Sequence, residues 1–188
     1  MSSNTSFGSR ASIPPIEWYR DRLADIALSY VGTPFSKQGR EPHRGLDCAG
    51  VAICGIREAG LGCTDYPYNL NAQYDLFDLI TKWAEENLEE GLRPLERGDV
   101  LAMRWPKMPS HMAVYVGNDT IVQALPGRER GVKAMLMDYS VKQRIQGIWR
   151  LRFGDDRTLE SCRISGQMPN FSPENFHLPK LDKEIRRP

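Results

Sequence analysis

A cysteine that acts as a nucleophile needs an imidazole within hydrogen-bond reach, and the imidazole needs a polar group to orient its other nitrogen. Cys48, His111 and Gln123 are the residues of this chain that suit those three roles. Cys48 follows the short polar loop Gly45-Leu46-Asp47 and opens the run Ala49-Gly50-Val51-Ala52-Ile53-Cys54-Gly55-Ile56, which reads as a buried helix. On a first helical turn the unpaired N–H groups and the macrodipole favour a thiolate over a thiol. Asp47 is placed to cap that helix through its carboxylate. A carboxylate so close also opposes the thiolate, so its role reads as structural. On its own, a cysteine in this setting reads first as an inert buried thiol. The rest of the chain has to decide.

Three histidines are available as partners. His111 opens the strand His111-Met112-Ala113-Val114-Tyr115-Val116, directly after a loop holding Pro106 and Pro109. A polar ring at the mouth of an apolar strand suits a general base, and it equally suits a histidine satisfied at a sheet edge. His43 lies on the loop before Cys48, beside Pro42, where a solvent-facing ring is the simpler reading. His177 lies in a Pro-rich tail and has no expected part in chemistry.

Gln123 is the polar residue inside Ile121-Val122-Gln123-Ala124-Leu125. Buried, it needs a partner, and its carbonyl could accept from the imidazole N–H. Strand register tests this. A three-residue turn, Gly117-Asn118-Asp119, sets Val116 against Thr120 and Ala113 against Gln123. His111 then lies diagonally from Gln123 on the same face. A two-residue turn would put them on opposite faces.

The elements that must hold these residues read as helices first and strands afterwards. Residues 1–15 are Ser-rich, end in Pro14-Pro15 and read as an extended polar arm. Ile16 to Tyr30 reads as a helix with Trp18, Leu23, Ile26, Ala27 and Tyr30 inward, stopped by Gly32 and Pro34. Residues 33–46 form a Gly- and Pro-bearing loop, and the Cys48 helix ends near Gly60 or Gly62. After a loop from Cys63 to Leu70, Asn71 caps a helix from Ala72 to Glu90, with Leu76, Leu79, Ile80, Trp83 and Leu88 inward. Glu85-Glu86 and Glu89-Glu90 read as its solvated face. Strands follow at 99–105, 111–116, 120–125, 131–137 and 144–153. The expected class is α+β, with N-terminal helices packed on an antiparallel sheet of about five strands. Residues 16–154 form the domain, and the Pro-rich stretch 155–188 reads as a tail. Arm and tail are both expected to dock on neighbouring subunits.

Composition narrows the function classes. The chain has 188 residues, a formal net charge of +1, 40% hydrophobic and 26% charged residues. That balance suits one soluble domain and supplies no bulk electrostatic footprint for nucleic acid or an anionic membrane. No apolar run reaches the length of a membrane span. Residues 1–10 are polar with no apolar core, so no secretory signal is expected. The four cysteines, Cys48, Cys54, Cys63 and Cys162, show neither a C-x-x-C pair nor zinc-site spacing. Reduced thiols, no metal and no cofactor are the expectation, with Cys54 a core residue.

Five stretches, taken in order, resemble the NlpC-type cell-wall cysteine peptidases, a papain-like group that cleaves peptidoglycan stem peptides. They are Tyr30-Val31-Gly32-Thr33-Pro34-Phe35, Gly45-Leu46-Asp47-Cys48-Ala49-Gly50, Arg97-Gly98-Asp99-Val100-Leu101, His111 to Gly117, and Ile121-Val122-Gln123-Ala124. The resemblance covers roughly residues 20–153. Lys37-Gln38-Gly39-Arg40 and the stretch from Arg144 to Arg150 are closer to the bacteriophage tail branch. The resemblance implies a papain-like fold in which Cys48 is the nucleophile, His111 the general base and Gln123 the orienting residue, supported by Asp47, Phe35 and Gln38. It implies a stem-peptide amide as substrate, at the bond after D-glutamate. It further implies phage tail or baseplate proteins as partners, and a place in a virion tail assembled in the host cytoplasm.

Two positions depart from the family pattern. Gln123 stands where a histidine is most common and cannot supply charge to an imidazolium. Phe35 stands where a tyrosine is common and cannot donate to an oxyanion. Both imply reduced activity, and they support an alternative in which the chain is a structural tail component that keeps the fold. A papain-like scaffold acting on another amide or acyl group is a third reading.

Overall fold

The computed structural model describes residues 13–65, 76–105, 108–127 and 131–152. The expected tail at 155–188, nearly all of the arm at 1–15, the Asn71 cap, His177 and Cys162 lie outside the described residues. In chain order the elements are α1 (Ile16–Ser29), β1 (Arg40–Glu41), β2 (Gly45–Leu46), α2 (Cys48–Glu58), α3 (Leu76–Asn87), β3 (Glu89–Glu90), β4 (Val100–Trp105), β5 (Met108–Gly117), β6 (Thr120–Leu125), β7 (Gly131–Leu136), α4 (Tyr139–Lys142) and β8 (Ile145–Arg150).

One antiparallel sheet runs β3-β8-β4-β5-β6-β7, and β1 pairs with β2 in a separate small hairpin. Alternate residues of each strand face opposite sides. Val100, Ala102, Met112, Val114, Val122 and Ala124 pack with the buried faces of α1, α2 and α3. Leu101, Met103, Ala113 and Ile121 pack with Met137 and Val141, the last of these on α4. Both faces of the central strands are therefore covered, which is why β4 and β5 read as nearly continuous apolar runs.

Four details differ from the sequence expectation. The sheet has six strands, because Glu89 and Glu90 leave the helix and pair with Arg150 and Trp149. Glu89 there accepts from Arg20 at 3.2 Å, so it is an ion-pair partner as well as a surface charge. The loop before Cys48 contains the β1–β2 hairpin. Trp18 is 38% exposed rather than inward, because it lies about 140° around α1 from Leu23. The Arg22 guanidinium sits 5.3 Å from its ring centre.

The fourth difference concerns the β5–β6 turn. The turn proper has two residues, Asn118 and Asp119, both left-handed with φ of 49° and 53°. Gly117 pairs with Thr120, whereas Tyr115 pairs with Ile121 and Val114 with Val122. A bulge between Tyr115 and Gly117 absorbs one residue on β5. The expected three-residue turn is thus replaced by a tighter turn plus a bulge, and the parity beyond them is the same. His111 and Gln123 share a face.

A buried carboxylate fastens the sheet to its surroundings. Asp99 is fully buried at the entry to β4. It accepts from Arg150 Nε at 2.8 Å and Nη2 at 3.1 Å, and from the Glu96 main-chain N–H at 2.7 Å. Arg150 also donates to the carbonyls of Leu92 and Pro94, joining the loop before β4 to β8. Removing one partner of such a pair strands the other. Asp99→Ala should lower unfolding free energy by about 3 kcal/mol or more in urea denaturation, with no direct effect on the chemistry of Cys48.

Candidate active site

Asp47 and the main chain around it build the start of α2. The Asp47 side chain accepts from the Gly50 N–H at 2.7 Å, the N-cap bond expected from the sequence. Its second oxygen accepts from the Gln38 N–H at 3.0 Å. Arg40 Nη1 reaches the same carboxylate at 2.7 Å, and Arg40 Nε reaches Asp65 at 2.9 Å. The hairpin loop lies so close to α2 that a Cβ on Gly50 would collide with the Gly39 carbonyl oxygen, and one on Gly39 with that of Gly45. Glycine at these positions lets the loop rest on the first helical turn.

Cys48 is the first residue of α2 and is half-buried. Main-chain groups of Met112, Ala49 and Cys48 itself hydrogen-bond its sulfur and favour the thiolate. Met112 follows His111 on β5, so the sulfur lies against the strand that carries the imidazole. The His111 ring is buried, and its Nε2 lies 2.7 Å from Gln123 Oε1. Gln123 is itself fully buried, with Nε2 donating to Met135 Sδ at 3.4 Å. With the amide oxygen facing the ring, Nε2 carries the proton and Nδ1 is left as the basic nitrogen.

Burial dominates the electrostatics. It pushes the Cys48 thiol up to about 11, and the Asp47 carboxylate adds to the rise. The main-chain donors pull the other way without overcoming it. The expectation of a thiolate favoured by the helix start is therefore corrected: desolvation and Asp47 outweigh it. Burial likewise pushes the His111 imidazole down to about 4, only partly offset by the bond to Gln123. At neutral pH the resting site holds a thiol and a neutral imidazole.

The remaining candidates sit around this centre. Phe35 makes a parallel bridge with Leu46, two residues before Cys48, and its half-buried ring packs on the core. Gln38 serves through its main-chain N–H, in a left-handed conformation with φ of 58°. His43 is exposed, with its ring centre 6.0 Å from that of Tyr30. Cys54 is buried, and its thiol donates to the Arg40 carbonyl at 3.4 Å. Arg40 carried no role in the sequence reading. The signal was present in an arginine seven residues before the capping aspartate, within a Gly-bearing loop, but only the fold shows that the two meet. A buried neutral histidine has a folded pKa below its unfolded value, so its contribution is present above about pH 6.5 and lost as pH falls towards 4. Between pH 7 and pH 4 His111 should account for a loss of roughly 3 kcal/mol, absent from a His111→Gln variant in parallel urea titrations.

A sequence profile described as the NlpC/P60 family matches residues 32–150. Comparison with curated protein sequences gives no match. Among solved structures, NlpC1 from Trichomonas vaginalis is similar with a TM-score of 0.53 and 18% identity, covering 70% of this chain and 44% of that one. The peptidoglycan hydrolase RipB from Mycobacterium tuberculosis has a TM-score of 0.53 and 16% identity, covering 75% and 70%. An NlpC/P60 family protein from Bacillus cereus has a TM-score of 0.51 and 20% identity, covering 70% and 40%. This chain spans less than half the length of the Trichomonas and Bacillus proteins. At such identities the likeness concerns the fold. The matched segment runs from the turn after α1 to the last residue of β8 and contains Cys48, His111 and Gln123, and the chain belongs to the NlpC/P60 family.

Proposed function

We propose that the protein is a cysteine endopeptidase that hydrolyses an amide bond in peptidoglycan stem peptides, carried in a phage tail or tail-like particle to breach the cell wall. The observation that carries the chemistry is the buried His111–Gln123 bond of 2.7 Å on the strand against which Cys48 lies. Family membership and the fold shared with a peptidoglycan hydrolase support the substrate class. The tail setting rests on the resemblance of Lys37-Gln38-Gly39-Arg40 and Arg144 to Arg150 to the phage branch. Tail or baseplate proteins are the corresponding partners.

In the reaction, His111 Nδ1 takes the Cys48 thiol proton as the sulfur attacks the substrate carbonyl. The Cys48 main-chain N–H, at the start of α2, faces the developing oxyanion. His111 then donates its proton to the departing amine, leaving a thioester on Cys48. A water molecule gives His111 a proton and attacks the thioester; as the C–S bond breaks, His111 returns that proton to the Cys48 sulfur and the carboxylic acid product departs. Gln123 accepts from Nε2–H throughout and keeps Nδ1 on the reacting side, which makes it a positioning residue.

A second reading has its own observations. Phe35 supplies no hydroxyl to the site, Gln123 supplies no charge, and the resting thiol is neutral. These favour a structural tail component that retains the fold with little activity. Digestion of purified peptidoglycan, with products read by mass spectrometry, separates the two. The endopeptidase reading expects stem-peptide fragments from the native protein and none from Cys48→Ala. Absence of fragments from both, with the proteins folded and also tested within their particle, favours the structural component.

Gln123→Ala should lower kcat about tenfold to a hundredfold, below most of the roughly hundredfold to ten-thousandfold that general acid–base groups contribute because it acts through His111, while leaving KM nearly unchanged. Iodoacetamide alkylation of Cys48 should accelerate about tenfold per pH unit between pH 7 and 10, as a neutral thiol requires. A rate flat across that range would mean a preformed thiolate–imidazolium pair.

A further inference from the structure

Arg40 occupies a position that no step of the reaction uses. Its guanidinium is largely buried, 18% exposed, and lies between two carboxylates, Asp47 at 2.7 Å and Asp65 at 2.9 Å. It also donates to the Gly39 carbonyl at 2.9 Å, and its own carbonyl accepts from the Cys54 thiol of α2. Arg57 on α2 holds the far side of Asp65 at 3.8 Å. Every end of this side chain is tied to the loop or to the segment around α2.

The residue it grips most closely is the one beside the sulfur. Asp47 has two duties that conflict. Its oxygens cap α2 and hold the Gln38 N–H, both of which place Cys48. Its charge, one residue away, opposes the negative sulfur that attack requires. A cation on Asp47 eases the conflict, because it keeps the carboxylate ionised and oriented while offsetting part of its field at the thiol. Among the described residues, the charged and titratable groups around the sulfur include Asp47 on its own turn, Arg40 on β1 with Asp65 and Arg57 behind it, and His111 on β5. Arg40 is the cation in direct contact with Asp47.

We propose that Arg40 is a positioning residue for Cys48, acting through Asp47: it holds the capping carboxylate in place and offsets part of its charge, so that the helix start is fixed with less suppression of the nucleophile. This rests on the reading of Cys48 as the reacting group. Arg40 touches neither the sulfur nor the imidazole in this role.

The test is the pH profile of Cys48 alkylation by iodoacetamide in the full chain, with the modified peptide identified by mass spectrometry and thermal unfolding followed in parallel. Arg40→Gln should slow Cys48 alkylation about tenfold at pH 8 and move the profile up by about one pH unit, the scale of one nearby charge. Arg40→Lys should fall between the two. Asp47→Asn should accelerate alkylation, and Arg40→Gln combined with Asp47→Asn should match Asp47→Asn alone. A profile for Arg40→Gln superimposable on the native one overturns the proposal, as does a double variant as slow as Arg40→Gln. Where Arg40→Gln does not fold, Asp47→Asn decides: an unchanged rate shows that the carboxylate has no hold on the thiol. Because the electrophile is small and no peptidoglycan is present, failure to cleave the wall would remove the endopeptidase reading and leave this result intact.

Discussion

In the proposed reaction a nucleophile and its base have to be desolvated together, and the surrounding structure answers that demand. Where α2 meets β5, His111 is buried and Cys48 half-buried, and desolvation moves both away from their charged forms. Neither can ionise cheaply by itself, but in the proposed reaction a proton passing from sulfur to ring would create a pair of opposite charges. Their mutual attraction replaces the lost solvation only if the geometry is right. Every contact that fixes the helix start or the ring therefore bears on reactivity.

Two devices supply the geometry. On the helix side, Asp47 joins α2, the Gln38 loop and Arg40 in one set of hydrogen bonds, and the glycines at 39 and 50 allow the backbones to touch. On the sheet side, a bulge in β5 corrects the offset of a two-residue turn, so that His111 and Gln123 meet on one face. A one-residue error in either place would turn a side chain away from its partner. Asp99 and Arg150 work further out, holding the entry of β4 and the end of β8 against the loop that precedes them.

A glutamine as third member has a definite chemical consequence. It fixes the tautomer through its oxygen, its buried amide having the Met135 sulfur behind it and the ring in front. It adds no negative charge, so an imidazolium formed in the proposed attack would be stabilised less than beside a carboxylate. Phe35 acts in the same direction by filling its place with an apolar ring.

Much of this was legible in the chain. The apolar run after Asp47 specifies a buried helix with Cys48 at its start, because a capping carboxylate and a 3.6-residue period are local properties. The alternating strands and the polar exceptions His111 and Gln123 are legible for the same reason, and the ordered motifs identify the family. Other features depend on which segments meet. Glu89 and Glu90 read as helix by composition, but β8 offers them a strand partner. Trp18 has the bulk of a core residue, but the helix turns it outward. The two-residue turn with its bulge, and the grip of Arg40 on Asp47, depend on backbone register and on the close approach of a loop. The thiol's own state is the clearest case: sequence shows the helix start that favours a thiolate, whereas only tertiary burial sets the desolvation that outweighs it.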